Sequence, residues 1–311
     1  MANIETAQPL LNETARIAKG EFWGLSDEKK TILEKGVKTV IFDLESTLTG
    51  SEALIFWGEM IGAGKEVKKI TYAGLNGEKD SLPFDQSLKI RLGITKPSES
   101  MLKMADQENI NKLTLNAVKT VNALVDAGIN VVVITGGLDK TTESIQGVFR
   151  RPFYINKLSR NPHTDRYSAI ADQEVLVRSG GKRILTQELI EKGIIKGPIG
   201  VVGDGVSDMG IDAQLKICFT GWLKWEDAIV KSDINVNYIP SVLPAFLGRK
   251  RRKIMRYGHY RDLLREGAFS LRSPETQYND LNFGISLLSD LEKEYDSKTD
   301  DDRIIFINKN R

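Results

Sequence analysis

Cysteine is almost missing from this chain of 311 residues: Cys218 stands alone. That excludes an internal disulfide framework and a Cys-rich zinc site, and it fits a reducing compartment. Histidine is nearly as scarce, with only His163 and His259, so little histidine chemistry is available. Neither sign of charge dominates, since 44 basic and 42 acidic side chains leave a formal charge of +2. No global field draws the chain to nucleic acid or anionic lipid, and any such affinity must be local. No apolar run approaches the roughly 20 residues of a membrane span. The opening MANIETAQPLL lacks the basic-then-apolar pattern of a signal peptide, so no membrane association and a cytoplasmic location are expected. What is present is ordinary: 41% hydrophobic and 28% charged residues, in a length that suits one large domain or two modest ones.

Three apolar, β-rich runs read as strands buried on both faces: Val37 to Asp43, Ile129 to Thr135 and Pro198 to Gly203. Helical patterns precede the second (LNAVKTVNALVDAG) and the third (KRILTQELIEKG). This alternation predicts an α/β fold with a doubly wound parallel sheet, whose ligands sit at the carboxyl ends of the strands. Residues from about 50 to 108 break the rhythm with helical stretches and a Gly-rich interval, YAGLNGEKDSLPF, and are expected to form an inserted cap. The core is then expected over 37–239, with an N-terminal extension over 1–36 and a C-terminal extension over 240–311. Within the first, Leu10 to Lys19 is amphipathic enough to pack on the sheet or on a second subunit, which leaves a homodimer open. The second carries a basic run from Arg249 to Lys253, with Arg256 nearby, and a later acidic stretch, DLEKEYDSKTDDD; both read as solvated helix faces or tails.

Chemistry-bearing residues gather where these strands end. Asp43 and Glu45 place two carboxylates two residues apart as the chain leaves the first strand. Such an aspartate can attack phosphorus, while a neighbouring carboxylic acid protonates the leaving oxygen and later activates water. Backbone N–H groups of that turn can form an anion nest, with Ser46 and Thr47 shaping it. The second strand ends in Thr135-Gly136-Gly137, a hydroxyl beside backbone that a phosphate can approach closely. The third runs into Gly203-Asp204-Gly205-Val206-Ser207-Asp208, whose two carboxylates suit magnesium, an ion that takes oxygen ligands. Lys182 opens the preceding helix, placed to neutralise phosphate charge. Each feature alone is common turn chemistry, but together, at the ends of strands in one alternating sheet, they converge.

In this order the residues resemble the haloacid dehalogenase superfamily. Asp43 to Thr47 is similar to its D-x-D-x-T motif, Thr135 to the second motif, Lys182 to the third and Gly203 to Asp208 to GDGxxD. The nearer likeness, over Thr39 to Asn237, is to phosphoserine phosphatases, whose cap glutamate and F-x-x-S-L-x-x-R segment correspond to Glu52 and to Phe84 through Arg91. The resemblance implies a Rossmann-like core under a helical cap, and a Mg²⁺-dependent hydrolase of a small phosphomonoester, phosphoserine first. It implies Asp43 as nucleophile and Glu45 as general acid and base. It implies Mg²⁺ on Asp43, Asp204, Asp208 and the Glu45 carbonyl, and phosphate held by Thr135, Gly136, Gly137 and Lys182. In the cap, Glu52 would take the substrate ammonium and Arg91 its carboxylate, with Phe84 closing the site. Two residues depart from the pattern: Glu45 stands where most members carry aspartate, and Ser207 where asparagine is common. Two other readings stay open. One is a phosphatase for another small phosphorylated metabolite. The other is a catalytically weak domain binding nucleic acid or an acidic partner through Arg249 to Arg256.

Overall fold

In strands buried on both faces, side chains that alternate by two must fill two cores at once. Val40 and Phe42 enter the core on one face of the sheet while Ile41 enters the other, and Val131 and Val133 are likewise separated from Val132 and Ile134. A computed structural model describes residues 24–75, 82–161, 163–170 and 174–295. Leu10 to Lys19, the middle of the Gly-rich cap interval (76–81) and the acidic stretch beyond Tyr295 lie outside the described residues.

The strands are β1 (Thr39–Phe42), β2 (Asn130–Leu138), β3 (Phe153–Asn156), β4 (Leu158–Asn161), β5 (Arg166–Ile170), β6 (Ile199–Gly203), β7 (Leu215–Phe219), β8 (Ile234–Val236) and β9 (Gln277–Tyr278). Seven form one sheet in the order β3-β2-β1-β6-β7-β8-β9. It is parallel except at the β8–β9 edge. Phe42 pairs with Val133 on one side and Val202 on the other, so Asp43 stands level with Ile134 and Gly203. β2 runs three residues past Thr135, because Asn156 Nδ2 donates to the Gly136 carbonyl at 2.9 Å and keeps the Thr-Gly-Gly segment extended.

Four helices, Ala53–Met60, Gly64–Leu75, Phe84–Thr95 and Glu99–Asn111, form the cap. Trp57, Val67, Leu88, Leu92 and Leu102 give it its own core, and Trp57 Nε1–H donates to the Met101 carbonyl at 2.9 Å. The antiparallel hairpin β4–β5, which the sequence patterns did not show, joins this core through Leu158 and Tyr167. Its Tyr167 hydroxyl donates to Glu99 Oε2 at 2.8 Å. Among the described residues no helix is long and apolar enough to cross a membrane.

The segment after Asn237, expected as an addition beyond the sheet, returns to it. Helix Val242–Leu247 is buried along its whole length, Tyr278 pairs with Ile234 at the sheet edge, and Leu264, Leu271, Phe283 and Leu287 share one core with β1 and β2. The basic run is corrected accordingly. Arg252, Lys253 and Arg256 are exposed, but Arg251 is only 2% exposed. Its Nη1 donates to the Pro244 carbonyl at 2.9 Å and its Nε to Glu294 Oε2 at 3.0 Å. The Pro244 carbonyl on one side and Glu294, on helix Leu281–Tyr295, on the other hold this side chain inward. Arg251→Ala leaves Glu294 without its buried partner, and is expected to lower the unfolding free energy in urea by about 3 kcal/mol; an exposed arginine would lose less than about 0.5.

Candidate active site

The loop after β1 winds around one carbonyl. Thr47, Leu48 and Thr49 all donate their N–H groups to the Leu44 oxygen, at 3.2, 2.9 and 3.1 Å, while Leu44 and Leu48 are sunk in the core. That anchoring leaves Asp43 and Glu45 pointing to the mouth. Ser46 takes a left-handed backbone, φ 57°, which is uncommon outside glycine. Its hydroxyl donates to Glu52 Oε1 at 2.9 Å. The Ala53 N–H, at the start of the first cap helix, donates to Glu45 Oε1 at 3.1 Å. The first loop and the cap are thereby tied at the two acidic side chains.

Lys182, in the first turn of helix Gly181–Glu191, joins the nucleophile candidate to the acidic turn. Its Nζ lies 2.7 Å from Asp43 Oδ1 and 2.7 Å from Asp208 Oδ1. Burial alone would pull the ammonium's pKa down, but Asp208 and Asp43 hold it above its usual range. Asp208 Oδ2 accepts from the Gly205 N–H at 3.2 Å. Burial, then repulsion from Asp43, raises its carboxyl to about 7, and burial with the charges of Asp43 and Asp208 raises Asp204 well above the usual carboxylate range. Gly203 is what admits Asp208 here, since a Cβ at that position would stand 2.2 Å from Asp208 Cγ. Gly203→Ala is therefore expected to displace Asp208 and lower stability by at least about 2 kcal/mol, read from the urea midpoint.

Ligand oxygens of Asp43, Asp204 and Asp208 all lie within 4.8 Å of one another, with one lysine among them. Three buried carboxylates held this close, with burial and mutual repulsion raising the pKa of two, fit a small divalent cation that seeks oxygen. Glu45 is raised to about 8 by burial first, then by Glu52 and Asp43, against the lowering effect of the Ala53 N–H. Its Oε2 lies 3.3 Å from where a Gly137 Cβ would stand, beside Thr135 Oγ1. The Gly137 N–H, expected to face a phosphate, donates here to Thr135 Oγ1 at 3.0 Å; the hydroxyl two residues back closes its own turn, and an entering anion must compete with it.

From the cap, Arg91 is buried, with Nε donating to the Ser87 carbonyl and Nη1 to Thr71 Oγ1, both at 3.2 Å. Burial lowers its pKa, while Glu52 and Glu45 oppose that shift. The Phe84 ring packs over Gly136, with Cζ 3.1 Å from where a Cβ would stand, and Arg91 sits 5.9 Å from the ring centroid. One cavity of about 430 Å³ collects Asp43, Glu45 and Glu52 from the first loop, Phe84 and Arg91 from the cap, Thr135 to Gly137 from β2, and Lys182, Asp204 and Asp208 from the far side. Thr71 and Trp225 also line it, and neither they nor the bond from Ser46 to Glu52 is signalled by the sequence. Thr71 lies on an amphipathic cap helix and Trp225 in an irregular loop, where neither periodicity nor spacing marks a site residue.

No family model matches the chain. A phosphoserine phosphatase of Methanocaldococcus jannaschii is 30% identical over 196 residues, which are 60% of this chain and 87% of that protein. The chain belongs to the phosphoserine phosphatase family of the haloacid dehalogenase superfamily. A chloroplastic phosphoserine phosphatase of Arabidopsis thaliana is also 30% identical, over 201 residues, or 62% of this chain; the match spans 66% of the plant protein, just under two thirds. A solved structure described as a phospho-aspartyl intermediate analogue of phosphoserine phosphatase superposes with a TM-score of 0.55 at 25% identity, covering 72% of this chain and 99% of its own. Family membership accounts for the parallel sheet under a helical cap.

Proposed function

We propose that this family member is a Mg²⁺-dependent phosphomonoesterase that converts O-phospho-L-serine to serine and phosphate through an aspartyl-phosphate on Asp43. The observation that carries the proposal is the convergence, in one cavity, of Asp43 beside Lys182 and the acidic triad with Arg91 and Glu52 of the cap.

Asp43 Oδ attacks phosphorus and the bond from phosphorus to the seryl oxygen breaks. Glu45, whose raised pKa keeps it protonated near neutrality, gives its proton to that oxygen. Serine departs, Glu45 takes a proton from water, and the resulting oxygen attacks phosphorus to free Asp43 and inorganic phosphate. Asp43, Asp204, Asp208 and the Glu45 carbonyl would hold Mg²⁺, which supplies positive charge against the transferring phosphoryl group. Lys182 adds its own charge, and Thr135 and the Gly136-Gly137 backbone receive phosphate oxygens. Phe84 over Gly136 excludes water. Glu45 is one methylene longer than aspartate, and its anchoring to the Ala53 N–H takes up that extra reach.

An amino-acid substrate presents an ammonium and a carboxylate, and Glu52 and Arg91 offer the opposite charges. Serine production is then its metabolic outcome. Cys218, buried and unpaired, is in keeping with the reducing cytoplasm proposed as its location. Arg91→Ala is expected to raise KM for phosphoserine by about 50-fold, the loss of a charge-assisted carboxylate pair, and to change KM for para-nitrophenyl phosphate by less than about threefold. Equal effects on both esters would remove the amino-acid reading.

A further inference from the structure

Trp225 stands where the core, the cap and the acidic triad meet. Its indole Nε1–H donates to Asp204 Oδ2 at 3.2 Å. Its ring meets that of Tyr72, on the cap helix Gly64–Leu75, edge to face, with centroids 5.1 Å apart and planes at 78°. One helical turn earlier, Lys68 Nζ lies 5.4 Å from the Tyr72 centroid. The mount beneath the indole is firm, because the Trp225 carbonyl accepts from the Ala228 and Ile229 N–H groups, at 3.0 and 2.9 Å, as helix Glu226–Lys231 begins. Lys182 bridges Asp43 and Asp208; the bond at the Asp204 carboxylate comes instead from the indole.

We propose that Trp225 is a positioning residue for the divalent cation, fixing the Asp204 carboxylate in its ligating orientation, and that Tyr72 of the cap docks on the same ring and so links cap closure to cation affinity. The proposal rests on the reading of Asp43, Asp204 and Asp208 as the cation's ligands. A carboxylate turns freely about its last torsion. Committing one oxygen to a fixed donor orients the other, and loss of such a partner typically weakens metal binding 10–100-fold. The indole also bears on Tyr72, so whatever seats the cap steadies Asp204. By reciprocity, filling the cation site must favour the seated cap to the same degree.

The test is calorimetric titration of the EDTA-treated full-length chain with MgCl₂ alone, alongside tryptophan emission and the metal-free melting temperature. Trp225→Phe keeps a ring for Tyr72 and removes the N–H. It is expected to weaken Mg²⁺ binding about 10-fold and to abolish most of the Mg²⁺-induced change in emission, with the metal-free melting temperature within a few degrees of wild type. Tyr72→Leu keeps the indole bond and removes the dock, and is expected to weaken Mg²⁺ about threefold. Asp204→Asn separates the two levels of inference. If it loses Mg²⁺ binding while Trp225→Phe retains wild-type affinity, the positioning role is overturned and the cation reading stands. If Asp204→Asn itself binds Mg²⁺ normally, the ligand reading falls and the role of Trp225 with it. Wild-type affinity in Tyr72→Leu removes the link to the cap.

Discussion

Asp43→Asn is expected to abolish phosphoserine turnover, by more than about 1,000-fold, in a chain that still unfolds cooperatively. The carboxamide is nearly isosteric with the carboxylate, so the loop wound on Leu44 and the strand pairing of Phe42 are undisturbed. Lys182 keeps Asp208 at 2.7 Å. What disappears is the nucleophile, while the other carboxylates keep their partners: Asp204 accepts from Trp225, Asp208 from Lys182 and the Gly205 N–H, and Glu45 from the Ala53 N–H. Phosphate release in a coupled assay and urea denaturation on the same preparation separate chemistry from folding.

Lys182→Met should damage both. Its ammonium is buried between Asp43 and Asp208, and its removal leaves two buried carboxylates without their shared counter-ion, a loss of about 3–5 kcal/mol. The sign of its pH dependence follows from linkage. Asp208 is already raised to about 7 with lysine present, and without the ammonium it rises further. A carboxyl whose folded pKa is raised holds a proton in the folded chain that the unfolded chain has released, so stability falls as pH climbs from the unfolded value through the folded one. Unfolding of the EDTA-treated variant should therefore show a larger deficit at pH 8 than at pH 5. Turnover should fall about 1,000-fold, since both the phosphoryl counter-charge and the orientation of Asp208 are lost.

How much of this was legible in the sequence depended on burial. β1, β2 and β6 lie between two cores, so most of their positions are apolar and the runs stand out; Asp43 and Asp204 directly follow β1 and β6 and Thr135 closes the apolar run of β2, which is why the centre of the candidate site is legible in the sequence. β3 is only half-buried over most of its length, and β4 and β5 alternate weakly around a polar turn. Their pairing rests on contacts with the cap, which no local pattern encodes. Arg251 shows the same limit from the other side: five consecutive basic residues look solvated until the helix ending at Tyr295 encloses one of them. Trp225 and Ser46 bond to partners 21 and 6 residues away, distances that only the folded chain closes.

The aspartyl-phosphate proposed on Asp43 is tested most directly by acid quenching during turnover of ³²P-labelled phosphoserine. Label should remain on the protein, be released by hydroxylamine as an acyl phosphate, and map to the peptide containing Asp43. A protein that releases phosphate yet carries no label in the steady state or on the millisecond scale, or carries it at another residue, contradicts the assignment.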